Sequence, residues 1–110
     1  MTEENDAQNI MMEMQQAQSQ LQQVNVQKEQ TTQEIQGIDK SLNELEKDDG
    51  GEVYKSVGNI LVSKDREQLV EELEERKESL EVRNKSLEKK EERLQEQMEE
   101  TQKKFSGLQG

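Results

Sequence analysis

The sequence of 110 residues lacks several residue types altogether. It has no Cys, no His, no Pro and no Trp, and it has only one Tyr and one Phe. Without Cys and His it has no thiolate or imidazole ligand for a metal, and the commonest proton-transfer group is missing. Without Pro, nothing forces a helix to kink. The absences argue against an enzyme, and we expect no cofactor and no metal site.

Apolar residues are scarce and charged residues are abundant. Hydrophobic residues make up 27% of the chain, charged residues make up 37%, and the net charge is −11. This balance is typical of long solvated helices that bury a narrow stripe. Because an acidic chain repels phosphate groups, we expect no nucleic-acid or membrane partner. No apolar run approaches the ~18 residues that cross a bilayer, and we expect a soluble, cytoplasmic protein.

The first arm, residues 5–47, carries an unbroken heptad pattern. Apolar residues recur at alternating spacings of three and four, which is the signature of a coiled coil. Only Lys28 and Thr31 interrupt the apolar seam. The seam positions are Ile10, Met14, Ala17, Leu21, Val24, Lys28, Thr31, Ile35, Ile38, Leu42 and Leu45.

The second arm, residues 65–107, carries a narrower seam. Asp65, with Gln68 three residues later, resembles a helix N-cap. Leucines repeat every seven residues, and in one register the companion seam positions are charged. The leucines are Leu73, Leu80, Leu87 and Leu94, and the companions are Arg76, Arg83 and Lys90.

The two arms match in length, so an antiparallel pairing can satisfy both seams. One register aligns Leu42 with Leu73, Ile35 with Leu80, and Leu21 with Leu94. It also places Lys28 opposite Leu87. There the lysine either lies along the seam with its ammonium in water or fixes the register, as single polar seam residues can.

A β-hairpin is predicted between the arms, at residues 52–63. The stop signal Asp48-Asp49-Gly50-Gly51 ends the first arm, and β-branched residues then flank the turn Gly58-Asn59. An isolated hairpin is marginally stable and leaves unpaired edges. We therefore expect hairpins from several chains to pair into one sheet or barrel, so that the protein is an obligate oligomer. The apolar and aromatic side chains lie on both faces of the predicted hairpin and are Val53, Tyr54, Val57, Ile60, Leu61 and Val62.

A methionine-rich group lies where the two arms would meet at their free ends. One helical pairing cannot bury all of these side chains, and Met is flexible enough to accept many partner shapes. We predict that the group binds other proteins, although Ile10, Met14 and Met98 can alternatively be explained by ordinary closure of the seam at a fraying helix end. Its members are Ile10, Met11, Met12, Met14, Met98, Phe105 and Leu108.

Several segments resemble one known family. The hairpin from Glu52 to Val62 is similar to that of β-class prefoldin (GimC) subunits, particularly the archaeal ones. The segments 71–76, 80–83 and 87–94 resemble the same family, in which a single hairpin marks the β class. The resemblance implies one prefoldin-like domain over 1–110, mainly α, with a long antiparallel coiled-coil hairpin and one β-hairpin between the helices.

The resemblance also implies a function. It implies an ATP-independent chaperone that assembles as a hexamer of two α-class and four β-class subunits. Its hairpins would form a central β-barrel platform, in which the six hairpin residues named above serve assembly. Its arm tips, where the methionine-rich group lies, would capture unfolded polypeptides and pass them to a group II chaperonin. The alternative from the residues alone is a structural coiled-coil scaffold or adaptor that binds no client. That alternative leaves the β-hairpin unexplained.

Overall fold

The structure is a computed structural model that describes residues 3–47 and 50–109. It contains two long helices with a two-stranded antiparallel hairpin between them, which confirms the predicted fold class. No described helix is long and apolar enough to cross a membrane. The elements are helix α1, Glu3–Lys47, strand β1, Val53–Val57, strand β2, Ile60–Lys64, and helix α2, Arg66–Gln109.

The chain divides into two compact units. Unit 1 joins α1 up to Gln30 with α2 from Asn84 onward. Unit 2 runs from Thr31 to Arg83 and contains the β-hairpin. Both units pair a segment of α1 with a segment of α2, so each has a helical seam of its own.

The seam of α1 follows the predicted heptads. All eleven predicted positions are buried or half-buried. The fully buried ones recur every seven residues, because that spacing returns a side chain to the same side of a coiled-coil helix. They are Ile10, Ala17, Val24, Thr31 and Ile38.

The seam of α2 corrects part of the prediction. Leu80, Leu87 and Leu94 are buried as expected. The charged companions Arg76, Arg83 and Lys90 are exposed, however, so they do not belong to the seam. The half-buried companions recur every seven residues, and the first four of them each lie four residues after one of the repeated leucines. They are Lys77, Asn84, Glu91, Met98 and Phe105.

In unit 1 an apolar cluster joins the two helices. Val24 is almost fully buried with Leu87 and Leu94, and Leu21 packs against them. Each buried leucine contributes roughly 1.5–3 kcal/mol through the apolar surface it removes from water. Since Leu21 and Leu94 share this cluster, the packing agrees with the predicted antiparallel register.

The lysine in the seam of α1 finds a charged partner. Lys28 Nζ lies 3.0 Å from Glu91 Oε2, and both side chains are about three-quarters buried. Its stem lies along the seam, as one reading proposed, but the ammonium ends on a carboxylate of α2 instead of in water alone. A charge in such a place needs a partner, because desolvation without one is costly.

In unit 2 polar contacts tie the helices together. Arg76 donates to Glu34 Oε1 from Nη2 at 2.9 Å and from Nε at 3.1 Å. Lys77 Nζ lies 2.7 Å from Asp39 Oδ1. The hydrogen bond to Asp39, with the charge of that carboxylate, raises the pKa of Lys77 above its ordinary value of 10.5.

The helix ends next to the hairpin are also fixed. The guanidinium of Arg66 donates to the carbonyl oxygen of Leu45, in the last turn of α1. Asp65 precedes α2 directly, at the predicted cap position, and its carbonyl accepts the Leu69 N–H at 2.9 Å. Of the predicted stop signal, Asp48 and Asp49 lie outside the described residues.

The hairpin has the predicted turn and faces. Val57 pairs with Ile60 across Gly58-Asn59, and Val53 pairs with Lys64 at the base. Gly58 has a φ of 60°, whereas Asn59 has no positive φ, which identifies a type II′ turn. A glycine suits this first turn position because it adopts positive φ without strain.

Candidate protein-binding surfaces

Exposed apolar side chains collect on the β-hairpin of unit 2. Leu61 is 71% exposed and Ile60 is 63% exposed, and Tyr54 and Val57 are about half exposed. A single chain leaves these residues in water, although strands rich in such residues are stable when covered. We call the six predicted assembly residues the hairpin surface, and four of them are thus open to a partner.

The other two residues of the hairpin surface lie closer to the helices. Val53 is buried and Val62 is half-buried. They share one face of the hairpin because Val53 and Val62 lie at alternating positions of the paired strands. The structure therefore divides the predicted set into a base that packs within the chain and an outer part that does not.

Tyr54 carries a polar contact at this surface. Its hydroxyl donates to the carboxylate of Glu52, and that hydrogen bond raises the pKa of Tyr54 above its ordinary value of 10.0. A groove of about 750 Å³ runs beside β1 and is lined by Tyr54, Leu45, Leu69 and Leu73 among others. The hairpin surface thus combines exposed apolar side chains with a groove that is lined partly by leucines and partly by polar residues such as Lys40 and Glu44.

A second set of apolar residues lies together in unit 1. We call the seven predicted methionine-rich residues the arm tip. Met12 is 66% exposed, Met11 is 53% exposed, and Leu108 is also exposed. Ile10 is buried, whereas Met14, Met98 and Phe105 are half-buried in the seam.

Three clefts open between the helices at the arm tip. The smallest, of about 190 Å³, is lined by Ile10, Met11, Met14, Gln102 and Phe105. A cleft of about 460 Å³ adjoins Met14 and Met98, and one of about 430 Å³ adjoins Ile10 and Leu108. Every predicted arm-tip residue except Met12 lines at least one cleft.

Sequence reasoning missed the polar lining of these clefts. Gln102 lines two of them, and Asp6, Glu13 and Lys104 line the third. An apolar count cannot find such residues. Helical spacing could have identified Gln102, because it lies one turn after Met98 and borders the same seam.

Comparisons with known proteins agree on one family. The sequence matches the family described as prefoldin subunit over residues 8–110. It is 44% identical over 67 residues to the prefoldin subunit beta of Archaeoglobus fulgidus, covering 60% of this chain and 58% of that protein. It is 42% identical over 59 residues to that of Pyrobaculum calidifontis, covering 53% and 47%. The alignments therefore span about half the length of these relatives.

A solved structure has the same fold. The crystal structure of the prefoldin beta subunit from Thermococcus strain KS-1 matches with a TM-score of 0.85 at 34% identity. The match covers 96% of this chain and 94% of that one.

Proposed function

Because this chain belongs to the prefoldin subunit family, whose members are chaperone components, we propose that it is a subunit of an ATP-independent holdase. It captures unfolded polypeptides at the arm tip and passes them to a group II chaperonin in the cytoplasm. The observation that carries this proposal is the exposure of Met11, which lines the cleft with Ile10 and Phe105, and of its neighbour Met12.

The arm tip has the chemistry for loose capture. Met11 and Met12 are unbranched and polarizable, so they adapt to apolar side chains of different shapes. The cleft of about 190 Å³ has room for little more than one side chain, so a single arm holds a client weakly. Several arms that act on one client raise the overall affinity by about 10²–10⁴-fold through effective concentration. Weak contacts of this kind also dissociate without nucleotide hydrolysis.

The hairpin surface supplies the assembly that such avidity needs. Ile60 and Leu61 are exposed on a two-stranded sheet whose outer edges have no neighbouring strand among the described residues. Pairing with hairpins of other subunits covers both the side chains and the edges. We propose a hexamer with two α-class and four β-class subunits, in which the hairpins form a β-barrel platform.

Replacing Met11, Met12 and Phe105 by Ser tests the proposal. The triple variant should assemble with an α-class partner as the wild type does, but it should no longer suppress the aggregation of an unfolded client in a light-scattering assay. The matched control is Val26→Ser, which removes an exposed apolar side chain of α1 outside the arm tip. If the triple variant suppresses aggregation as well as the control, the arm tip does not hold clients and a scaffold role is favoured.

A further inference from the structure

One carboxylate of α2 contacts both strands of the hairpin. Glu72 Oε2 lies 3.5 Å from Lys55 Nζ of β1, and Glu72 Oε1 lies 3.6 Å from Lys64 Nζ of β2. The two oxygens of one side chain are thus divided between the two strands. We call these three residues the charge clamp.

The charge clamp acts on the face of the hairpin that turns toward the helix. Val53, Lys55 and Lys64 share this face, since Val53 pairs with Lys64 and strand residues alternate. Val53 is buried at the base, whereas Val57 and Ile60 near the turn are exposed. Apolar packing therefore fixes the hairpin only at its base, and a rotation about that base would move its outer residues most.

Two contacts from different strands restrict such a rotation. An exposed ion pair contributes little to the free energy of unfolding, because water and salt screen it. A network in which one carboxylate joins two cations has more effect on geometry, since neither strand can swing away without losing its contact. The clamp thus determines the angle of the hairpin more than the stability of the chain.

We infer that Glu72 is a positioning residue that sets the angle of the β-hairpin on α2 through Lys55 and Lys64. The angle determines where Ile60 and Leu61 point when subunits meet. The inference rests on the proposed function only insofar as the hairpin carries assembly; the angle itself can be measured on the chain alone.

Spin labels measure the angle directly. The chain has no Cys, so Ser56→Cys and Ser79→Cys place one label on the hairpin and one on α2 without any other reactive thiol. Both serines are exposed and both lie within unit 2. Pulsed dipolar spectroscopy should give a narrow distance distribution for the otherwise unchanged chain.

Charge reversal separates the clamp from a general effect of charge. Glu72→Lys places three ammonium groups together, so the distribution should broaden and shift. Glu71→Lys is the matched control, because it changes the net charge equally and Glu71 has no ion pair among the described residues. Adding Lys55→Glu and Lys64→Glu to Glu72→Lys reverses every sign and should restore the narrow distribution.

The inference is overturned if Glu72→Lys leaves the distribution unchanged, if Glu71→Lys changes it equally, or if the sign-reversed variant fails to recover. In mixtures with an α-class partner, Glu72→Lys should weaken assembly about tenfold, because two attractive pairs become repulsive. High salt should reduce that difference. If assembly survives the loss of Ile60 and Leu61, the hairpin is not the assembly surface, and the proposed function fails while the spin-label result still stands.

Discussion

The two exposed apolar surfaces of this chain are built from different kinds of side chain. The hairpin surface presents the β-branched Val57 and Ile60 on strands held in register. Branching at Cβ restricts their rotamers, so their shape is fixed before a partner arrives. The arm tip presents Met11 and Met12, which are unbranched and lie on one turn of a helix. A fixed surface suits one permanent partner, and an adaptable surface suits many transient ones.

The surroundings of the two surfaces differ in charge as well. The hairpin is accompanied by Lys55, Lys64 and Glu72, which are joined by ion pairs. At the arm tip, Asp6, Glu13 and Lys104 line one cleft, and none of the three forms an ion pair among the described residues. Charges that are not joined to one another impose no fixed geometry on a partner, whereas the ion pairs at the hairpin favour one geometry.

The largest effect is expected when the outer part of the hairpin surface is removed. Replacing Ile60 and Leu61 by Ser should weaken assembly with an α-class partner by more than about 100-fold, since each buried side chain contributes roughly 1.5–3 kcal/mol. Native mass spectrometry over a range of concentrations measures the loss.

The control for that double variant is Val82→Ser on α2. Val82 is as exposed as Ile60, but it lies outside both surfaces. It should leave assembly unchanged, and the circular dichroism of both variants should retain full helix content. Equal assembly of the double variant and the control would refute the role of the hairpin surface.

A smaller loss of stability should distinguish the role of unit 1 from that of unit 2. Leu94→Ala removes a side chain of the unit 1 cluster and should lower the free energy of unfolding by about 2–4 kcal/mol. Urea denaturation measures this change, and hydrogen exchange should show lost protection mainly in residues 3–30 and 84–109, which are the described residues of unit 1. Client protection should fall, while assembly through the hairpin persists.

The matched variant for that experiment is Leu80→Ala, which makes the same change in unit 2. We expect its loss of protection to include the segments next to the hairpin. If Leu94→Ala impairs assembly as much as Leu80→Ala does, the two surfaces are not energetically separate.

The smallest effect concerns pH and is confined to unit 2. Because the pKa of Lys77 is raised above 10.5 in the folded chain, its bond to Asp39 stabilises fully below that pH. The contribution is lost as the pH rises through the higher pKa of the folded state. Urea midpoints between about pH 9 and pH 12 should therefore converge for the wild type and Lys77→Met. If the difference between the two urea midpoints stays constant over this pH range, the Lys77–Asp39 contact is not the source of the pH dependence.

Tyr54 titrates in the same range and needs its own control. Its pKa is also raised, by the hydrogen bond to Glu52, so it too loses stabilisation as the pH rises. The variant Tyr54→Phe removes that contribution and leaves Lys77 in place. A difference between wild type and Lys77→Met that persists in the Tyr54→Phe background belongs to the lysine.

The helices and the hairpin were predictable because their signals are local and repeated. Apolar residues at heptad spacing located the seam of α1, and Gly58-Asn59 between β-branched runs located the turn. Both signals are local patterns of residue type and spacing, which can be read directly from the sequence. The arm tip and the hairpin surface were likewise found from residue type and position, and their function stays a prediction.

The polar part of the seam was harder to predict. Arg76 and Lys77 are neighbours with similar chemistry, and the leucine repeat alone does not say which one faces α1. The register of Met98 and Phe105 would have decided it, since Lys77 precedes them by multiples of seven residues. The charge clamp at Glu72 was out of reach, because long side chains from separate elements meet only in three dimensions.

The bond from Arg66 to the Leu45 carbonyl has a consequence for protein engineering. It joins the two helices at the point where the chain leaves one and enters the other. The contact holds together the two ends of the segment between Leu45 and Arg66, and closing a loop between fixed ends costs little more when the loop grows. We therefore expect this pair of helix ends to tolerate a longer or different segment between these two residues.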